Sequence, residues 1–223
     1  AWMELRMKIP AGEALVHEVG VELLTSDYAL TAYLDEFAVF GDPDYCVDFA
    51  HERIEHWNNL HEEISQCMYN VGSWTLEKGA LVGHGAQLAE IFTGSTRWQN
   101  VHVKTALQPV TGKGHNLEFR VQGAMRCYAV GLAAENKLVL YKKNGQYEKL
   151  AETDLSWKNG CEYTLEATAV GNAITVSIDG EIAFWYVDED EPYLYGSVGL
   201  SSFGPASCQW RFIEVAPAEK EEK

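Results

Sequence analysis

Between about Gly72 and Val215 the chain is a succession of short segments with apolar residues at every second position, cut by turns that carry glycine. Strand signals fall at Trp74 to Leu76, Ala80 to Val82, Ala86 to Phe92, Gln99 to Leu107, Asn116 to Gln122, Cys127 to Ala133, Lys137 to Lys142, Tyr147 to Asp154, Glu162 to Val170, Ala173 to Ile178, Glu181 to Val187, Ser197 to Ser202 and Cys208 to Val215. Turn residues stand between them at Lys143-Asn-Gly145, Lys158-Asn-Gly160, Gly171-Asn172 and Asp179-Gly180. So many short strands cannot be built into a helical or parallel α/β protein, and they predict an all-β, two-sheet antiparallel sandwich. The last two turns, each set between alternating runs, predict hairpins.

The remainder of the 223 residues is organised differently. Trp2 to Ile9, Val16 to Leu24 and Thr31 to Phe40 predict three more strands, an N-terminal strand-rich segment over 1–47. Residues 48–65 are charged, carry three histidines and space Ile54, Trp57, Leu60 and Ile64 at three or four residues, which predicts a linker or a short helix. The main body covers 66–217, and the charged residues 218–223 predict a disordered tail. Ala1 in place of Met points to a processed or excised piece.

Charge narrows the partners. With 33 acidic and 17 basic residues the formal charge is −16, which repels phosphate backbones and anionic bilayers, so neither nucleic acid nor membrane is an expected partner. No apolar run approaches the ~18 residues of a spanning helix, and Ala1 to Arg6 lacks the pattern of a signal peptide. Cys46, Cys67, Cys127, Cys161 and Cys208 are odd in number and widely spaced, which predicts small buried hydrophobes in place of a disulfide framework and leans toward a reducing, cytoplasmic setting.

Familiar catalytic constellations are incomplete. Glu152-Thr-Asp154 approaches the carboxylate strand of jelly-roll glucanases, but Trp157 stands where a second Glu is needed. His51, His56 and His61 are spaced by five, which turns successive rings about 140° apart on a helix and defeats a zinc site. Asp188-Glu-Asp-Glu191 offers Asp188 and Asp190 as calcium ligands, or else is an acidic turn before Pro192; no other cofactor or metal is implied.

The order Trp74 to Leu81, Trp98-Gln-Asn-Val-His-Val103, Asn116 to Arg120, Gly180 with Asp188, and Gly196-Ser-Val-Gly-Leu200 resembles concanavalin A-like jelly rolls of the laminin-G and carbohydrate-binding-module type, over roughly 66–217. Through Val19 to Leu24, Ala32 to Phe37 and Arg120 to Gly123 the whole chain is similar to C-terminal regions of bacterial ADP-ribosylglycohydrolase-family proteins. Val19-Gly-Val21 and Tyr33-Leu-Asp35 also resemble the closing strands of a galactose-binding-like sandwich. These resemblances imply a non-catalytic, carbohydrate-binding accessory module downstream of a catalytic domain, with a structural or self-associating domain as the alternative. A hydrolase resembling the keto-disaccharide hydrolases would need paired carboxylates, and Glu118 alone makes no pair.

The expected ligand surface comes from periodicity. In Leu117 to Gln122, period two sends Leu117, Phe119 and Val121 inward and Glu118, Arg120 and Gln122 to an open polar stripe, with Arg126, Tyr128, Tyr141 and Trp185 on or near the same surface. Guanidinium and amide groups suit sugar hydroxyls, and aromatic faces suit pyranose rings. The competing assignment pairs Arg120 with an acidic neighbour and puts Tyr128 and Trp185 in the core. Trp74, Trp98, Trp157 and Trp210 are assigned to packing.

Overall fold

The computed structural model describes residues 4–7, 22, 24, 26, 31–34, 41–52, 57–58, 63–64 and 67–219. The chain divides into two units, Ala1–Val39 and Phe40–Lys223. Most of the three expected N-terminal strands lies outside the described residues, and 4–7 and 31–34 carry no strand.

The second unit holds β1 (Tyr45–Asp48), β2 (Trp57–Asn58), β3 (Glu63–Ile64), β4 (Cys67–Val71), β5 (Ser73–Glu77), β6 (Ala80–Gly85), β7 (Leu88–Thr93), β8 (Val101–Thr111) and β9 (Gly114–Val121). It continues with β10 (Arg126–Ala133), β11 (Lys137–Asn144), β12 (Gln146–Asp154), β13 (Tyr163–Val170), β14 (Ala173–Ile178), β15 (Glu181–Val187), β16 (Ser197–Phe203) and β17 (Ala206–Pro217). One sheet runs β15-β14-β13-β8-β17-β6-β5, with β1 also on β17; the other runs β12-β11-β10-β9-β16-β7-β4. The chain crosses between sheets at β4 to β5, β6 to β7, β7 to β8, β8 to β9, β12 to β13, β15 to β16 and β16 to β17, and the ladders between these large-sheet strands are antiparallel. This is an all-β jelly-roll sandwich.

Every strand expected between Trp74 and Val215 is present, because period two supplies each with one oily face. Leu117, Phe119, Val130, Leu132, Leu138, Leu140, Ile91 and Leu200 meet Leu81, Val103, Leu107, Leu165, Val176, Trp210 and Ile213 in one buried core. Val170 pairs with Ala173 and Ile178 with Glu181, so both expected hairpins close around two-residue turns. Asp179 (φ 51°) and Gly180 (φ 83°) both take the left-handed backbone such a turn demands. The four tryptophans assigned to packing are buried.

The flanking segments add pairings of their own. Tyr45–Asp48 belongs to the sandwich, pairing with β17 from Val215 to Phe212. In the 48–65 stretch, Trp57–Asn58 pairs with Glu63–Ile64, so strand replaces the short helix offered there. Ala218 donates its N–H to the Asn100 carbonyl (3.2 Å), and 220–223 of the expected tail lie outside the described residues. Of the five free cysteines, Cys67, Cys127 and Cys208 are buried as expected, while Cys46 and Cys161 are exposed.

His115 lies on the inner side of β9, its ring edge-on to buried Trp157 at 5.9 Å and its Nδ1 3.2 Å from Ser202 Oγ. Burial pushes its pKa down to about 4. The unfolded ring binds its proton near 6.5, so between those values the unfolded state carries more protons and stability falls as pH drops. His115→Gln is expected to remove roughly 2–3 kcal/mol of that acid sensitivity, measured as the difference in unfolding free energy between pH 7 and pH 4. An unchanged pH profile defeats the assignment.

Candidate functional site

The polar stripe centred on Arg120 does not exist as an open surface. Ser197 pairs with Val121 and Val198 with Phe119, so Arg120 is an extra residue, a bulge with φ 51°. The phase of alternation changes there. Gly196 packs so close that a Cβ on it would lie 2.2 Å from the Arg120 carbonyl carbon. The Arg120 side chain is fully buried and donates to the carbonyls of Gly171 (2.5 Å), Tyr193 (2.6 Å) and Gln99 (3.3 Å). Burial lowers its pKa from the ordinary guanidinium value.

Tyr128 is buried as well, which corrects its expected place on the open surface. Its ring packs on Phe119 at 5.5 Å, its hydroxyl donates to Asp188 Oδ2 (2.5 Å), and the same hydroxyl accepts the Tyr193 N–H (3.0 Å). Asp188 also takes Lys142 Nζ (2.8 Å) and the Asp190 N–H (3.1 Å), and these donors outweigh its desolvation to keep its pKa low. Calcium is a poor fit to this carboxylate, because an ammonium already sits on the oxygen a cation would use. Among the described residues no cluster of three or more His, Cys, Asp or Glu can hold a metal ion. Arg120, Tyr128 and Asp188 thus pin the segment 188–196 from beneath.

The other expected residues scatter over three surfaces. Arg126 is exposed, its guanidinium 4.6 Å from the Tyr193 ring centre. Gln122, half-buried, donates Nε2–H to the Tyr195 carbonyl at 3.1 Å. Trp185 is 71% exposed, but on edge strand β15 of the eight-stranded sheet, away from the face that carries Glu118 and Tyr141.

That face is the outward side of the seven-stranded sheet, and it assembles a cluster that no local pattern shows. Glu90 on β7 and Glu118 on β9 flank β16, where Ser201 pairs with Glu90 and Gly199 with Glu118. Lys143 reaches in from β11 and Tyr147 from β12. Both carboxyl groups are completely buried and Lys143 is 5% exposed. The Lys143 ammonium pairs with Glu90 Oε1, and Asn70 Nδ2 donates to Glu90 Oε2 (2.8 Å). The Tyr147 hydroxyl stands 2.6 Å from Glu90 Oε1 and 2.7 Å from Glu118 Oε1. Glu118 Oε2 has no partner of hydrogen-bonding geometry, and a Cβ on Gly199 would come within 3.3 Å of it. Burial first, and the neighbouring Glu90 second, push the Glu118 pKa up to about 7.

Half-buried aromatic rings stand at the cluster: Tyr147 lies against Phe203 with centres 4.4 Å apart, and Tyr141 meets both, at 6.2 and 5.4 Å. Buried ionisable groups are costly unless something uses them, and a sheet needs none on its outer side for folding. Sequence reasoning reached Glu118 and Tyr141 here, and missed Glu90, Lys143, Tyr147 and Phe203.

No family model matches this chain, and no curated protein matches it. Solved structures do. The carbohydrate binding module CBM66 from Bacillus subtilis superposes with a TM-score of 0.62 at 17% identity, covering 68% of this chain and 95% of that one. A Bacillus subtilis protein of unknown function with a galectin-like fold gives 0.55 at 14%, covering 70% and 90%. A prokaryotic β-1,3-1,4-glucanase (lichenase) derived from a mouse hindgut metagenome gives 0.57 at 13%, covering 79% and 100%. At these identities the likeness is one of fold, a concanavalin A-like jelly roll, and function has to be argued from the site.

Proposed function

We propose that this domain is a non-catalytic carbohydrate-binding module, and that the outward face of the seven-stranded sheet is where the saccharide lies. The observation that carries the proposal is the juxtaposition of a half-buried aromatic shelf, Tyr141, Tyr147 and Phe203, with the polar cluster of Glu90, Glu118 and Lys143 on one sheet face. The apolar C–H face of a pyranose suits the aromatic shelf, and the buried cluster beneath it holds Tyr147 in place through the Tyr147 hydroxyl. Fold neighbours that include a carbohydrate binding module agree with it. Gln122 and Arg126, which lie against Tyr195 and Tyr193, and Trp185, on the other sheet, are left out of this site. The accessory role, in a larger protein with an upstream ADP-ribosylglycohydrolase-like domain, draws on the resemblance at Val19 to Leu24 and Arg120 to Gly123.

Titration calorimetry of a neutral oligosaccharide panel tests this. Tyr141→Ala is expected to weaken binding about tenfold, in line with ~1.4 kcal/mol for a lost aromatic contact. Failure of the unsubstituted chain to bind any saccharide at millimolar concentration overturns the proposal.

A second proposal, an interaction module, draws on β15, an edge strand with Ile182 (72% exposed) and Trp185 turned to solvent and no charge between Ile182 and Val187. Concentration-dependent association that Trp185→Lys abolishes would favour it.

A further inference from the structure

A tyrosine hydroxyl has one hydrogen. Tyr147 Oη stands 2.6 and 2.7 Å from oxygens of two different carboxyl groups, so it can donate to only one of them. Were both ionised, the other contact would set lone pair against lone pair at hydrogen-bond distance in a dry site. The second contact therefore needs a proton of its own, on the carboxyl oxygen. Lys143 and Asn70 both serve Glu90, so Glu90 is the member held as an anion. Glu118, with one oxygen partnerless, is the member that keeps its proton. The chain of donors then runs from the Glu118 carboxylic acid to Tyr147 Oη, from the Tyr147 hydroxyl to Glu90, and from the Lys143 ammonium to Glu90.

We propose that Glu118 is a neutral carboxylic acid on the acid side of neutrality, and that its ionisation as the pH rises dismantles the aromatic shelf and so gates the binding of a neutral saccharide on this face. The gating half rests on the proposed function; the protonation half does not. Once Glu118 loses its proton, a second negative charge stands beside Glu90 and Tyr147 has one hydrogen for two anions. The tyrosine that must give way is the one packed 4.4 Å from Phe203, so the shelf loses its central ring.

The groups around Glu118 are accounted for. β7 presents Glu90, β11 Lys143 and β12 Tyr147, whose pKa burial drives far up and keeps protonated. β10 presents Cys127, whose thiol burial also pushes well up, and β16 presents Gly199 and Ser201, whose hydroxyl favours the ionised form of Glu118, as Lys143 does, without outweighing burial and Glu90. The upward shift of Glu118 to about 7 agrees with the proton count. His115, pushed down to about 4, is neutral at pH 6 and above, where Glu118 titrates.

The decisive measurement follows the glutamate side-chain carboxyl carbons of the full chain by NMR from pH 4 to pH 9. One resonance is expected to titrate near neutrality and to be missing in Glu118→Gln; a Glu118 carbon that titrates in the ordinary range near 4.5 overturns the proton assignment. Near-ultraviolet circular dichroism of the tyrosines is expected to change over the same interval in the unsubstituted chain and to stay flat in Glu118→Gln. Calorimetry with cello-, laminari- and xylotriose at pH 6 and pH 8.5 reads the gate: a fall in affinity of at least tenfold at the higher pH supports it, and equal affinities overturn it. No binding of any triose at either pH removes the saccharide proposal and the gate with it, while the carboxyl titration still decides the proton.

Discussion

Replacing Arg120 with methionine is expected to destabilise the domain by about 3–5 kcal/mol, more than any ordinary surface substitution. The guanidinium spans three carbonyls from separate parts of the chain, Gln99 before β8, Gly171 in the β13–β14 turn and Tyr193 in the segment before β16. Methionine fills most of the same volume, so little cavity is created and the loss reports the polar contacts. Each abandoned carbonyl remains under protein with its hydrogen bond unmade, and a bond to a charged donor is worth ~1.5–3 kcal/mol. Removing a buried charge returns part of this, which holds the total below the sum of the three bonds. Lysine at the same position keeps the charge without the fork, and recovers at most one of the three contacts. Urea unfolding of the three proteins checks the ordering, and proteolysis within 188–196 should accelerate in the methionine variant, because Tyr193 then keeps the hydrogen bonds of its N–H and its hydroxyl but loses that of its carbonyl. A cost under about 1 kcal/mol would mean that the guanidinium is merely accommodated there.

Arg120 also marks where sequence reasoning stopped. Period two and turn chemistry are local, and they located the strands from Trp74 to Val215 and the tight turns among them. A bulge at a non-glycine residue leaves no local trace: leucine, phenylalanine and valine at 117, 119 and 121 read as unbroken alternation, yet φ 51° at Arg120 turns its side chain under the 188–196 segment. Glu118, two positions earlier, keeps its phase and does face outward. Trp185 faces solvent, but which sheet β15 joins depends on long-range pairing, and it joins the sheet that lacks Tyr141. Glu90 carried a faint signal, a lone charge in the apolar run Leu88 to Phe92. Its meeting with Glu118 needs β16, over a hundred positions further along, to slot between β7 and β9. Lys143 was taken as a turn residue, and its side chain instead enters the face one position before the turn closes.

Removing the ammonium and removing the anion from that face are expected to have unequal effects, and the inequality follows from charge. With Glu118 protonated, Glu90 and Lys143 cancel, so the buried cluster is neutral. Lys143→Met leaves Glu90 as an uncompensated anion beneath the aromatic rings, which should cost about 3–5 kcal/mol. Glu90→Gln leaves an uncompensated ammonium, but only until Glu118 releases its proton: the neighbour whose charge had held that proton on is gone, and Lys143 already favours the ionised form. Neutrality is restored from within, and the cost should stay near 1–2 kcal/mol, the scale of one buried hydrogen bond rearranged. The double variant, Glu90→Gln with Lys143→Met, is neutral by composition and should be at least ~2 kcal/mol more stable than Lys143→Met alone. Chemical unfolding of the four proteins at pH 6, where Glu118 holds its proton, closes the cycle. If the two single variants cost the same and their costs add in the double, the cluster is a set of independent contacts. A recovery in the double variant requires instead that the three ionisable groups share one charge balance on this face.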